Sequence, residues 1–594
     1  MPPPHLEYQP IDHSIAQIRV LTIHPGSSDD PILCSLTHHS LQHENDYEAL
    51  SYTWGDPTRN YLISIGAASL PVTKSGRPGL DRRHLHQPRG QYREESPGRV
   101  HGTNFKGASR VLAWLGPAGP ETEEAFELIR AVSARSPMKP ALDVWRAIEP
   151  LTALMNRPFW SRTWILQEVI CPEKAPLIGC GNQWEDWETW AAASPLAMGE
   201  ELEDVLTPKS SILGRQTLKA YTRAFEMFSG IDYLRQQSYE LQHHHSGQGI
   251  TNLNEVLTVS INKECSDLRD HVFAIVGMIH FDGIAAGIHP PKPDYNKHVS
   301  EVYTEMAKFL IESDKTLIIL FLFIHLRTHL TTWEAYLPSW TPDFSCNIEA
   351  LRYPALSRVT RSVISRSEHL PVVLNAGVLQ VHGKLVGIIH RTYSLQRWWT
   401  NLDRLIRFVG PINEPCLVEL YSCLTGGQNL GEESFDWFKE AISRASLKVD
   451  RLYLDAEPEN NKINKTEVIE AITHTTTLNA SRTAPQRQLY MATGLGSNSR
   501  FRLGLGSPDC REGDLVCLDA GGHAPLILRF IHDGYYEYVG DSYVPGYMEE
   551  DMEHALQGDI GIEWTRFDIL SGVKVLTVPL GGRLGLQRVD CILN

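Results

Sequence analysis

Apolar positions near the start of the chain cluster in short runs that predict strands. Residues 18–23 (IRVLTI), closed by Pro25-Gly26, and residues 32–38 (ILCSLTH) are the first two. Residues 47–52 form a third, cut off by Trp54-Gly55-Asp56-Pro57. Gly55 frees the backbone for a tight turn, Pro57 ends the ladder, and the indole anchors the strand end. Residues 61–65 and 70–73 predict a hairpin on Gly66, and residues 110–115 a strand stopped by Gly116-Pro117. The period then lengthens. Ala125, Phe126, Ile129 and Val132 put an apolar stripe on residues 121–132, with acids in the first turn where the helix dipole favours them. Residues 145–155 predict a second helix, broken by Asn156-Arg157-Pro158. In residues 159–169, Trp160, Trp164 and Gln167, or Ile165, Leu166 and Val169, share helix faces. Arg162 between two indoles predicts either guanidinium stacking or a buried pair with Glu168.

Helical spacing dominates the middle of the chain: residues 188–239, 264–277 with Gly277 as C-cap, and 299–313. Val299, Val302, Tyr303, Met306 and Leu310 read as a core stripe. Residues 317–324 (LIILFLFI) are a buried strand or helix, far short of a bilayer span. Residues 337–344 are a Pro-bracketed turn with Trp340 packed inward. From about residue 370 the period shortens again. Residues 378–381 and 385–390 predict a hairpin across Gly383-Lys384, and residues 400–450 a helical block. A polar linker at 457–465 follows, then strands at 489–495, 514–518, 525–530, 535–540 and 573–579. Residues 74–102 fit neither period; rich in Arg, Gly and Pro, they read as a loop or a disordered basic insert.

The 594 residues carry a net charge of −16, with 42% hydrophobic and 21% charged positions, ordinary for a globular protein of several domains. The acidic balance argues against a general nucleic-acid or anionic-membrane surface. Ten cysteines form no CxxC pair, which predicts reduced thiols and a cytoplasmic protein. The first residues show no secretory signal. His243-His244-His245 lies in polar text and reads as a solvated loop rather than a metal site. Asp267, Arg269 and Asp270 predict a charged cap network, with catalysis the weaker alternative. Residues 494–499 lack the third glycine and following helix of a dinucleotide loop, and no other nucleotide, zinc-protease or serine-hydrolase motif occurs. No cofactor or metal is expected.

Taken in order, these segments resemble the fungal heterokaryon-incompatibility (HET) domain family. Residues 8–12, 18–21 and 25–26 resemble its opening strand, 47–55 (YEALSYTWG) its first signature, 108–116 (ASRVLAWLG) a following strand, and 162–168 (RTWILQE) its closing signature. The signature positions are Tyr47, Leu50, Ser51, Tyr52, Trp54, Gly55, Trp114, Gly116, Arg162, Trp164, Gln167 and Glu168. Residues 265–277, 293–295, 337–340 and 513–547 resemble the long C-terminal region of a large subgroup. The resemblance implies an α/β N-terminal domain, comparable with TIR domains, then a helical middle and a β-rich C-terminal region. The corresponding bounds are leading strands at 1–45, the HET domain at 46–170 with its central block disrupted at 74–104, a mainly helical region at 171–365 and a mixed, strand-rich region at 366–594. The family's middle signature, a core strand followed by a helix, is replaced by residues 91–104. Residues 79–87 (GLDRRHLHQ) stand as the remnant of the helix before it. A missing core strand predicts an unstable or rearranged domain, from a mis-spliced gene model or a degenerate gene.

The function implied by the resemblance is self/non-self recognition after fusion of unlike cells, ending in growth arrest or cell death. Its partner would be another protein of an incompatibility system, with neither nucleic acid nor membrane involved, and no enzymatic activity is expected. One alternative is TIR-like NAD cleavage, with Glu168 stabilising a ribosyl cation-like transition state. The other is a degenerate, non-functional paralogue.

Overall fold

The computed structural model describes residues 12, 17–25, 31–40, 47–53, 61–66, 68–72, 85–86, 102, 104–134, 142–194, 225–240, 253–260, 263–278, 287–322, 337–345, 371–373, 377–395, 402–410, 413–425, 435–436, 438–440, 442, 487–494, 501–519, 524–545, 547 and 565–569. Trp54, Gly55, the His243–His245 run, residues 457–465, 495–499 and 573–579, and most of 74–104 lie outside them.

The N-terminal strands assemble into one mixed sheet. In chain order they are β1 (Gln17–Ile23), β2 (Ile32–Ser40), β3 (Glu48–Tyr52), β4 (Tyr61–Ile65), β5 (Ala68–Val72), β6 (Leu85–His86), β7 (Arg110–Trp114), β8 (Leu177–Cys180) and β9 (Gln183–Asp186), and their spatial order is β5-β4-β2-β1-β6-β3-β7-β8-β9. The centre of the sheet, β6-β3-β7-β8, is parallel. The expected hairpin β4–β5 turns on Gly66, whose φ of 58° suits glycine. The sheet runs past both bounds of 46–170, because β1, β2, β8 and β9 belong to it.

Alternation sorts the two faces. Leu21, Leu50, Leu112 and Trp114 join Cys34, Ile63 and Ile65 on one face, while Ile18, Val20, Tyr47, Ala49, Phe105 and Val111 cluster on the other. At the seam β6 contributes two residues. Val20 and Leu21 pair with His86 and Leu85, and Glu48 pairs with Leu85. Leu85 and His86 are therefore strand, not part of a helix remnant. Residues 102 and 104–106 are helical, with Gly102, Asn104 and Phe105 buried, so the central block expected to be disrupted over 74–104 is packed at its C-terminal end.

Helices α1 (Thr122–Ser133), α2 (Leu142–Met155), α3 (Pro158–Ser161), α4 (Ile165–Ile170) and α5 (Trp187–Ala192) follow β7 or flank β8 and β9. Trp160 and Trp190 both lie against Phe228, on a helix over 225–240, and Trp187 stacks on the same ring at 4.6 Å. Next come α6 (Leu253–Ser260), α7 (Asp270–Val276), α8 (Val299–Asp314) and α9 (Ile319–Leu322). Of the expected stripe on α8, Val302, Tyr303, Met306 and Leu310 are buried, and Val299 packs partly buried against the same core. Trp340 is fully buried, and its Nε1 donates to Gly377 O at 2.7 Å.

The C-terminal strands close on themselves. β10 (Val372–Val373) and β11 (Leu379–Ser394) precede α10 (Leu402–Val409) and α11 (Glu414–Thr425). β12 (Gln488–Gly494), β13 (Phe501–Gly506), β14 (Leu515–Asp519), β15 (Leu526–His532), β16 (Tyr535–Tyr543) and β17 (Thr565–Ile569) follow. The path β11-β12-β13-β16-β15-β14 returns to β11 through an antiparallel β11–β14 pairing, which makes a ring. Val386, Tyr490, Val516, Ile527 and Val539 touch one another across the ring and form its interior. The outward residues Leu489, Leu503, Cys517, Leu528 and Tyr538 join the helices in one core. The hairpin expected at Gly383-Lys384 does not form. β11 runs straight through, with Gly383 paired to both Asp519 and Thr565.

Candidate functional site

The first signature supplies its residues to both sides of the sheet. Tyr47 is 1% exposed; its OH donates to Asn104 O at 2.5 Å and its carbonyl accepts from Ser109 N at 2.9 Å. Leu50 belongs to one face, and Ser51, 1% exposed, points to the other. Tyr52 pairs in register with Trp114 on β7. After that strand Gly116 adopts φ 123°, which a side chain resists, and its carbonyl accepts from Gly181 N at 2.9 Å.

The closing signature is not one continuous helix. α3 ends at Ser161, and Arg162 is extended, with φ −67° and ψ 134°. The break is made by tertiary pairing. Arg162 forms a parallel bridge with Glu264; Glu264 N donates to Ser161 O at 2.5 Å and Thr163 N to Glu264 O at 3.0 Å. Helical propensity is a weak prior against such long-range backbone bonds. The extended turn lets the Arg162 guanidinium reach Glu168 in a bidentate pair, both contacts at 3.0 Å. Ser51 Oγ donates to the same carboxylate. Of the two sequence alternatives for Arg162, the carboxylate pair is the one formed. The Glu168 side chain is 3% exposed and that of Arg162 20%.

The other signature residues reach into the C-terminal region. Trp164 Nε1 donates to Asp270 Oδ2 at 3.1 Å, and Tyr295 OH to Asp270 Oδ1 at 2.6 Å. Burial pushes the Asp270 carboxyl above its usual range, against the opposing pull of these hydrogen bonds. Gln167 Nε2 donates to Ala274 O at 2.7 Å, on α7. Arg269 grips Asp267 through Nε at 2.9 Å and Nη2 at 2.8 Å, donates to Lys297 O at 2.9 Å, and lies over the Tyr295 ring at 5.2 Å. The expected Asp267/Arg269/Asp270 network is thus present, tied to Tyr295 rather than acting as a simple cap. Gly277 is the C-cap of α7, but in a right-handed conformation.

The structure therefore brings Ser51, Arg162, Trp164, Gln167 and Glu168 together and joins them to Asp270 and Tyr295. Trp114, in register with Tyr52, lies on the face of the sheet opposite Ser51, and Gly116 follows the end of β7. Sequence reasoning missed Lys263, which is fully buried and donates from Nζ to Trp160 O at 2.7 Å. It also missed Arg235, whose guanidinium donates to Val169 O at 2.9 Å and Pro172 O at 2.8 Å and so caps α4. Lys263 directly precedes the Glu264-Cys265 motif, and that position was its one visible mark.

Chemically this is a clamp. Both Glu168 oxygens accept from Arg162, one of them also from Ser51, in a buried setting. Among the described residues no group of three or more His, Cys, Asp or Glu is placed to hold a metal, and no helix is long and apolar enough to cross a membrane. Cys34, Cys180, Cys423, Cys510 and Cys517 are buried free thiols.

No family model matches the chain, and no solved structure matches it. Among curated proteins it is similar to heterokaryon incompatibility protein 6, OR allele, of Neurospora crassa, with 22% identity over 449 residues, 63% of this chain and 64% of that protein. The chain is a distant homologue of a heterokaryon incompatibility protein, matched over just under two thirds of that protein's length.

Proposed function

We propose that the protein acts in fungal self/non-self recognition, through contact with a protein of another incompatibility locus, and that its output is growth arrest or death of unlike fused cells. The observation that carries this reading is the 449-residue similarity to a heterokaryon incompatibility protein. The clamp supports it, because the residues that resemble the family's signatures bind one another across distant parts of the chain. Expression in a fungal recipient tests it. Fusions between unlike strains should lose viability while self-fusions do not; equal survival in both removes the reading. Purified chain incubated with NAD, beside Glu168→Gln, separates this from the enzymatic alternative: turnover that vanishes in the variant would favour NAD cleavage.

A second reading, a degenerate paralogue, is favoured by residues 91–104, which stand in place of the family's middle signature without its pattern. A chain without toxicity, beside a toxic version with the middle signature restored, would select it. Transcripts spanning residues 82–103 distinguish a skipped coding segment from a degenerate gene.

A further inference from the structure

Lys263 lies where the two signature blocks meet. On one side Ser161 and Thr163, flanking Arg162, bond the backbone of Glu264; on the other Asp270 and Ala274 receive Trp164 and Gln167. The amine has no exposure and, among the described residues, one acceptor, the Trp160 carbonyl. An ammonium carries three donors, so in its charged form two would be buried without partners. The acids on the segments that meet here are engaged elsewhere. Glu168 is held by Arg162 and Ser51, Asp267 by Arg269, and Asp270 by Trp164 and Tyr295; Glu264 accepts from Ser161 Oγ and Glu255 from Tyr233. His271, on α7, is itself driven by burial down to about 4 and brings no charge near neutrality.

We propose that Lys263 is a proton-operated pin: its neutral amine holds the joint between residues 161–164 and 263–270 closed, and protonation loosens it. Burial alone lowers the Lys263 amine from 10.5 to about 7. In the open joint the amine regains its ordinary basicity. Opening therefore grows as pH falls from 10.5 and levels off below about 7, because the closed state then binds the proton as well.

Hydrogen exchange of the full chain tests this, with exchange times scaled for the intrinsic effect of pH. Protection of amides 161–164 and 263–270 should fall about tenfold from pH 8 to pH 6 and change little below that. Lys263→Met, which keeps the stem and removes the charge, should hold protection constant over the same range. Lys263→Gln serves as the second variant if the Met form does not fold. A wild-type protein without the drop overturns the proposal. So does a variant that keeps the drop, or a loss spread equally over the C-terminal ring.

Discussion

Arg162 and Glu168 stand six positions apart, yet their pairing depends on a bridge to Glu264, about a hundred positions further on. Removing Arg162 leaves a carboxylate that is 3% exposed, with Ser51 still donating to it. Arg162→Ala should cost about 3 kcal/mol, and Ser51→Ala about 1 kcal/mol. Urea denaturation of Arg162→Ala, Glu168→Gln and the double variant should show strong non-additivity; additive losses would mean that the pair is not coupled. The pair itself was legible, since an Arg and a Glu close in sequence beside indoles are natural partners. The Trp164–Asp270 and Gln167–Ala274 bonds were not, because no spacing rule links residues more than a hundred positions apart.

Elements were read best where one period held over many residues. α1 and α8 match their expected helices to within a residue or two, because stripe and boundary residues agree. Two glycine-rich stretches misled the reading. Gly383 looked like a turn and lies inside a strand. Phe501–Gly506 gave no strand pattern because Gly504 and Gly506 interrupt it; a Cβ on Gly504 would stand 2.3 Å from Tyr490 Cζ, so the ring occupies the space that a side chain would need. The seam at β6 bears on the expected missing strand. Among the described residues, β1 pairs seven residues with β2 but two with β6, while β3 pairs five with β7 and one with β6. Amides of β1 and β3 should exchange faster on average than those of β7, which is bonded on both sides; equal protection would show that the seam is not weak.

At the scale of the molecule, one core runs from Ala113 on β7 through the helices to Ile569 on β17, while two smaller clusters serve the outer sheet. A fragment of residues 46–170 alone would lose β1, β2, β8 and β9 and bare Leu166, Val169 and Ile170. Such a fragment should aggregate or bind hydrophobic dyes on expression; a soluble fragment with a cooperative melt would show that the sheet is self-sufficient.

The closed C-terminal ring sets a timetable for synthesis. β11 must find β14 and β17, which leave the ribosome more than a hundred residues later. Its partners are distant in sequence, so closure is slow and cannot be completed while the chain is still short. Until Phe567 and Ile569 arrive, the helical core lacks part of its cover. A newly made chain therefore passes through a period in which apolar surface is open to other proteins, and its demand on chaperones is written into the order of its strands.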